Sequence, residues 1–338
     1  MSLISYRDKS RITSLTITSL NSPIMPSKSI LASLLAVAPL ALAQNPSCDC
    51  YMTEGQYYKD HSFFDFRSLS QHAGVPALID SIQGNAEAGF TSDFFNWESD
   101  FSKTWGAQKW NNGNEEFPMQ NTYNNLYIEE NNDESPASDT WLTMRTARHN
   151  GFQTASEFES MVKHQYVSLR MYARTKGSPG ACTAMFTYRA GEDLASVQEA
   201  DIEVLTKDPP NVIHYTNQPS YTSEGGEVDG AHLGAALPDG ITWSTWAKHT
   251  LDWTPDTTIW RVNDKELWRN SFQVPRDPAT LSFNAWSNGD TWTGTIPEGG
   301  AAYQQIQWIE LLSGRTDGAT CSSVCSVDKG EPGKAVQV

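Results

Sequence analysis

The sequence predicts an all-β protein, a sandwich of two antiparallel sheets. Three observations point there. Short runs with period-two apolar alternation recur along the chain, and turn chemistry separates them. Aromatic residues and glycine are plentiful (12 Trp, 12 Tyr, 13 Phe, 23 Gly). Long stretches of helical periodicity are scarce. No break in composition divides the chain after Gln44, and no internal repeat is visible. We therefore read 44–326 as one β-sandwich domain, with 1–43 before it and a polar tail, 327–338, after it.

The elements are expected in this order. Lys28 precedes an apolar run from Ile30 to Leu42, and Ala41-Leu42-Ala43 supplies a small-x-small cleavage pattern. This reads as a secretory signal with Gln44 as the first mature residue. The run is too short for a spanning helix. Met25 stands where such signals usually begin, so 1–24 is either a mis-assigned start or a polar extension. Phe63-Phe64-Asp65-Phe66 and Trp97 mark an aromatic-rich opening region, with polar loops at 111–114 and 129–136. Strands are expected at 141–148 and 166–174. In the second, Ser168, Arg170 and Tyr172 alternate with Val167, Leu169, Met171 and Ala173. Lys176-Gly177-Ser178-Pro179-Gly180 is a turn. Strands follow at 182–188, around Glu199, and at 212–217, then a Gly-rich loop at 222–240. Further strands are expected at 249–253, 258–262, 281–286 and 305–312. Asn263-Asp264-Lys265 turns 258–262 into a partner strand at 266–268.

Charge and cysteines narrow the function. The net charge is −16, and 1–43 hold four of the basic residues against one Asp. Such a chain lacks the basic footprint that nucleic acid requires. An anionic membrane surface is likewise a poor partner. A soluble, secreted, extracellular or cell-wall protein acting as a monomer on a neutral polymer fits. Secretion implies an oxidising compartment. Of the five cysteines, Cys48 and Cys50 lie near one end and Cys321 and Cys325 near the other. Spacing does not fix their connectivity. Bridges between the two pairs, tying the ends together, are favoured over zinc. Cys182 is left over and is expected to pack as a small apolar residue.

The chemistry sits in Glu199-Ala200-Asp201-Ile202-Glu203. On a strand these three carboxylates share one face. Like charges so close repel unless one is protonated. Acidic alternation on a solvated edge is the plain alternative. Catalysis of glycoside cleavage, however, needs two carboxyls of differing pKa flanking one bond.

Ordered companion segments turn this pattern into a resemblance. Arg170-Met171, Met185-Phe186-Thr187-Tyr188, the Glu199/Asp201/Glu203 triplet and Lys207-Asp208 come first. His249-Thr250-Leu251-Asp252-Trp253-Thr254-Pro255, Trp260 with Val262-Asn263-Asp264, and Asn284-Ala285-Trp286 follow. Over roughly 140–312 the chain resembles glycoside hydrolase family 16, the β-glucanase family with a concanavalin A-like jelly roll and a concave cleft. The resemblance implies a retaining mechanism with Glu199 as nucleophile, Glu203 as general acid then base, and Asp201 tuning Glu199. It also implies substrate contacts from Arg170, Phe186, Tyr188, Asn284 and Trp286, with His214 and Trp292 as weaker candidates. Trp253 and Trp308 are expected in the core.

Bacterial mixed-linkage relatives carry an acid where Ser168 stands, a tryptophan where Val197 stands, and a larger aliphatic where Ala200 stands. Subsites near the cleaved bond should therefore differ. The expected partner is a β-glucan, cut at β-1,3/1,4 or β-1,3 linkages by a secreted endo-hydrolase. A glucan transglycosylase and a non-catalytic glucan-binding lectin are the alternatives. No cofactor is expected. A structural Ca²⁺, as in some relatives, stays open, although no loop shows a recognisable calcium pattern.

Overall fold

A computed structural model describes residues 48–111, 113 and 116–338. The expected signal sequence and Gln44 lie outside the described residues. The regular structure of the described residues is mostly strand, arranged as two facing sheets, with a few short helical turns.

The first sheet carries the acidic run. Its strand order is His232–Ala236, Val212–Gln218, Gln198–Leu205, Cys182–Arg189, Thr280–Trp286, Phe152–Ser160 and Trp105–Ala107. The second, outer sheet is centred on the long strand Ala301–Thr316. One part of that strand pairs with Gln56–Asp65 and another with Thr140–His149, while Ser168–Gly177 lies along its other side. Ala247–Trp253, Thr258–Val262 and Lys265–Asn270 continue the outer sheet from Ser168–Gly177. Phe152–Ser160 joins the layers, pairing with Thr140–His149 at one end and Thr280–Trp286 at the other.

Alternation sorts the side chains. Ala200, Ile202 and Val204 face inward and meet Leu169, Met171 and Ala173 of the opposite sheet in one continuous core. Trp105, Phe158, Phe283, Trp253 and Trp260 are fully buried in that core. Each such side chain contributes roughly 1.5–3 kcal/mol by leaving water. Trp253 is thus a core residue, as expected. Trp308 is also buried, but on the outer face against Phe63 and Tyr172.

The expected strands are present with small shifts at their ends, and 305–312 proves to be the middle of Ala301–Thr316. Asn263 and Asp264 both adopt left-handed backbone (φ 47° and 67°), the geometry of a two-residue hairpin turn. Phe152–Ser160 was not among the expected strands; its run of small polar residues weakens the apolar alternation. The expected 222–240 loop contains the edge strand His232–Ala236. Glu129 and Glu130 end a strand, Leu126–Glu130, instead of opening a loop. Not every pairing is antiparallel. Cys50–Thr53 runs parallel to Val324–Ser326, and Met119–Asn121 runs parallel to Phe152–Ser160.

The two ends of the described chain are tied together on the outer sheet. Cys48 bonds to Cys325 and Cys50 to Cys321, so the bridges join the two cysteine pairs as favoured from the sequence. The segment read as a polar tail lies against this layer. Val336–Gln337 pairs with Val324–Ser326, and Val327 and Ala335 are buried beside Tyr51 and Tyr58.

Candidate active site

Backbone register builds the site. Glu199 lies opposite Tyr188 and Gln218, Asp201 opposite Phe186 and Thr216, and Glu203 opposite Ala184 and His214. On the next strand Asn284 pairs with Ala184 and Trp286 with Cys182; Glu157 pairs with Asn284 beyond. Directly opposed residues share a face. One face of the sheet therefore gathers Glu199, Asp201, Glu203, Phe186, Tyr188, Asn284, Trp286 and His214. Phe186, Tyr188 and Asn284 are half-buried there. The Oδ1 atom of Asn284 is buried without a hydrogen-bond partner among the described residues.

The carboxyls are deep. Glu199, Asp201 and Glu203 are 4%, 1% and 3% exposed. Burial disfavours the charged form and raises all three pKa values. Neighbours then separate them. Asp201 is pushed well up by burial, by the charges of Glu199 and Glu203, and by its hydrogen bond to Glu199. Glu199 is pushed up to about 8, chiefly by burial; the hydrogen bond with Asp201 works against this rise, and the charges of Glu203 and Glu157 add to it. Glu203 is raised by burial and pulled back by Cys182, His214 and Trp292. The ordering is chemically simple. Of the two, Asp201 holds its proton to higher pH and donates it in a hydrogen bond to Glu199, which takes up the negative charge as the pair ionises. Gln218 Nε2 donates to the other side of Asp201, at 3.4 Å from Oδ2.

Around Glu203 the contacts are specific. Trp292 Nε1 and Cys182 Sγ both lie 3.3 Å from Oε1. Oε2 is buried and has no partner among the described residues, and the same holds for Glu199 Oε2. His214 stands beside Glu203, but its ring nitrogens are engaged, Nε2 with Asp208 Oδ2 at 2.6 Å and Nδ1 with His232 Nε2 at 3.0 Å. Its ring packs edge-on to Trp292 at 5.2 Å. A cavity of about 360 Å³ opens on this side, lined by Glu203, Gln218, Tyr221, Glu227, His232 and Trp292.

One expected substrate contact is misplaced. Arg170 lies on the outer sheet, opposite Glu310 and Thr250, and its side chain points away from the acidic strand. It is 4% exposed, paired with Glu310 at 3.3 Å and Asp328 at 2.8 Å, and donates to Thr53 Oγ1 at 2.5 Å. It locks the terminal layer down. The alternation that buries Leu169 and Met171 between the sheets sends Arg170 to the far side. Cys182 packs in an apolar cluster, as expected, and is in addition a hydrogen-bond partner of Glu203. Sequence reasoning also missed Glu157, Gln218 and His232. Only cross-strand register brings them to the site, and no local motif announces register. Among the described residues no group of three or more His, Cys, Asp or Glu side chains could hold a metal ion.

Comparison with known proteins agrees with this arrangement. Two curated proteins match part of the chain. A "Xylanase/beta-glucanase" of Ruminococcus flavefaciens is 26% identical over 160 residues, 46% of this chain and 19% of that protein. "Crh-like protein 4" of Botryotinia fuckeliana (strain B05.10) is 27% identical over 122 residues, 34% of this chain and 30% of that protein. The match thus spans less than a third of either relative's length. Among solved structures, the Bacillus licheniformis beta-glucanase superposes with a TM-score of 0.50 at 17% identity, covering 64% of this chain and 95% of that one. A family 16 endo-glucanase from Bacteroides ovatus gives 0.51 at 12% identity, covering 65% and 98%. These likenesses show the jelly-roll sandwich. The model of the family described as "Glycosyl hydrolases family 16" matches residues 98–310, which contain both sheets' central strands and the whole acidic run. With that match over more than half its length, the chain belongs to glycosyl hydrolases family 16.

Proposed function

We propose that the protein is an endo-acting β-glucan hydrolase that cleaves with retention of anomeric configuration. One observation carries this reading: Glu199 and Glu203 occupy one face of one strand, with the hydrogen-bonded Asp201 between them. Four residues of strand span roughly 13 Å between Cα atoms. Two glutamate side chains leaning together from those positions can approach the ~5–5.5 Å that retention needs.

In the first step Glu199 attacks the anomeric carbon as the glycosidic C–O bond breaks. Glu203 gives its proton to the departing oxygen. In the second step the Glu203 carboxylate takes a proton from water, and the water oxygen displaces Glu199 from the same carbon. Asp201 withdraws charge from Glu199 through its hydrogen bond, which eases its departure. Phe186 and Tyr188 offer ring surface for pyranose faces, whereas Trp286 is almost fully buried. The unpartnered Asn284 Oδ1 suits a sugar hydroxyl. A β-1,3/1,4- or β-1,3-glucan as substrate, and secretion after removal of the N-terminal signal, complete the reading.

The test is product analysis on barley mixed-linkage glucan and laminarin, with labelled acceptor oligosaccharides, beside Glu199→Gln. Internal cleavage whose first product is the β-anomer by NMR, absent in the variant, is the expected result. First appearance of the α-anomer would sink retention. Labelled products longer than the acceptor would make the protein a transglycosylase. Binding without cleavage would make it a lectin.

A further inference from the structure

Glu203 is held asymmetrically. Its Oε1 meets two donors from different parts of the fold. Cys182 comes from the neighbouring strand, and Trp292 comes from the loop after Thr280–Trp286. Its Oε2 meets none. Cys182 is fully buried and belongs to no disulfide. A carboxyl whose one oxygen already accepts two hydrogen bonds carries its proton on the other. We propose that Cys182, together with Trp292, is a positioning residue of the reaction: it fixes the Glu203 side chain and confines the transferable proton to Oε2, the oxygen left free for the glycosidic oxygen. The idea rests on Glu203 being the general acid.

The other groups that face Glu203 do not serve this purpose. Glu199 and Asp201 lie on its own strand and bond each other. His214 faces it from the adjacent strand but is committed to Asp208 and His232. Glu227 and Asp229 line the cavity from the 222–230 loop. No hydrogen bond joins these two to Glu203 among the described residues. The thiol is also held in its neutral form. Burial first, and the nearby carboxylate second, raise its pKa well above the usual range. It therefore acts as a donor and not as a nucleophile.

Cys182→Ala and Cys182→Ser, compared with wild type and Glu203→Gln, test the assignment. Two substrates are needed: the natural glucan, whose leaving oxygen must be protonated, and a dinitrophenyl glycoside of a short β-glucan, whose leaving group departs without help. Cys182→Ala should lower kcat/KM on glucan roughly five- to tenfold. On the dinitrophenyl substrate, kcat/KM should stay within about twofold, because its first step bypasses the acid. Losing the donor also destabilises the Glu203 carboxylate, so the alkaline limb of the glucan kcat/KM profile should move to higher pH. Cys182→Ser keeps a donor and should restore both the rate and the limb. Thermal melting confirms that each variant is folded.

Equal losses on both substrates, or an unmoved alkaline limb in folded Cys182→Ala, would overturn the proposal. Should Cys182→Ala unfold, Trp292→Phe removes the other donor, and the same split and limb shift are required of it. If Glu203→Gln itself keeps full activity on glucan, the functional reading fails instead. The two failures are therefore distinguishable.

Discussion

At the scale of single residues, the acidic run is a compromise between chemistry and stability. Three carboxyls sit almost fully out of water on one strand, and burial raises the pKa of each. A carboxyl with a raised folded pKa stays protonated in the native state after the unfolded chain has ionised. Stability then falls as pH rises from the ordinary carboxylate range toward the folded value. For Glu199 that window runs from about 4.5 to about 8. Glu199→Gln should therefore melt higher than wild type at pH 7–8, and the difference should shrink toward pH 4. An advantage that grows in acid would contradict the burial argument. Arg170 shows the opposite balance. Burial alone would raise Glu310 and Asp328, but Arg170 and their hydrogen bonds hold both below the usual carboxylate range. Such stabilisation is present above the unfolded pKa and is lost as pH falls through the depressed folded value. Arg170→Ala would take the guanidinium from buried Glu310, leaving it His61 Nε2 and the Gly333 N–H, and should cost about 3 kcal/mol by chemical denaturation. Its activity per folded molecule should be unchanged, because it lies on the sheet away from the acids.

At the scale of elements, pairing decides what alternation alone leaves open. The strand Ser168–Gly177 was legible from its apolar period, yet which face would meet substrate was not. The resemblance assigned Arg170 to the cleft; its neighbours across the ladder, Glu310 and Thr250, place it on the outer face. The strand Phe152–Ser160 was missed although it brings Glu157 to the site, because small polar residues dilute its pattern. The end of Ser168–Gly177 offers a direct test of local fit. Gly177 has φ of +119°, and a Cβ there would collide with the backbone of Ala301 and Ala302 on the paired strand. Gly177→Ala should lose more than about 1 kcal/mol of stability by urea titration. A neutral result would mean that the two strands separate more easily than their pairing suggests.

At the scale of the whole molecule, the two disulfides act as one constraint. Cys48–Cys325 and Cys50–Cys321 span 277 and 271 residues of sequence. Closing the first loop removes about 5 kcal/mol of unfolded-state entropy in the chain model, and the second then closes only a small ring. Replacing either pair with serine should cost roughly 2 kcal/mol. Replacing both should cost clearly more than the sum of the single changes, because the large loop then opens as well. Additive losses in thermal melts would show that the bridges act through native-state packing instead. Beneath them Arg170, Glu310 and Asp328 bind the terminal layer to the outer sheet, so acid should loosen the ends as these carboxylates protonate.

The sequence by itself determined the β-sandwich, most of its strands, the common face of Glu199, Asp201 and Glu203, and the family. Those features are local: a period of two, turn residues, and motifs read within a few positions. Only the tertiary structure decided which oxygen of Glu203 is held, why Cys182 is more than packing, and that Arg170 serves the chain ends. Each depends on which residues oppose one another across strands distant in sequence, and on how far each is withdrawn from water. Neither register nor burial is written in any single segment of the chain.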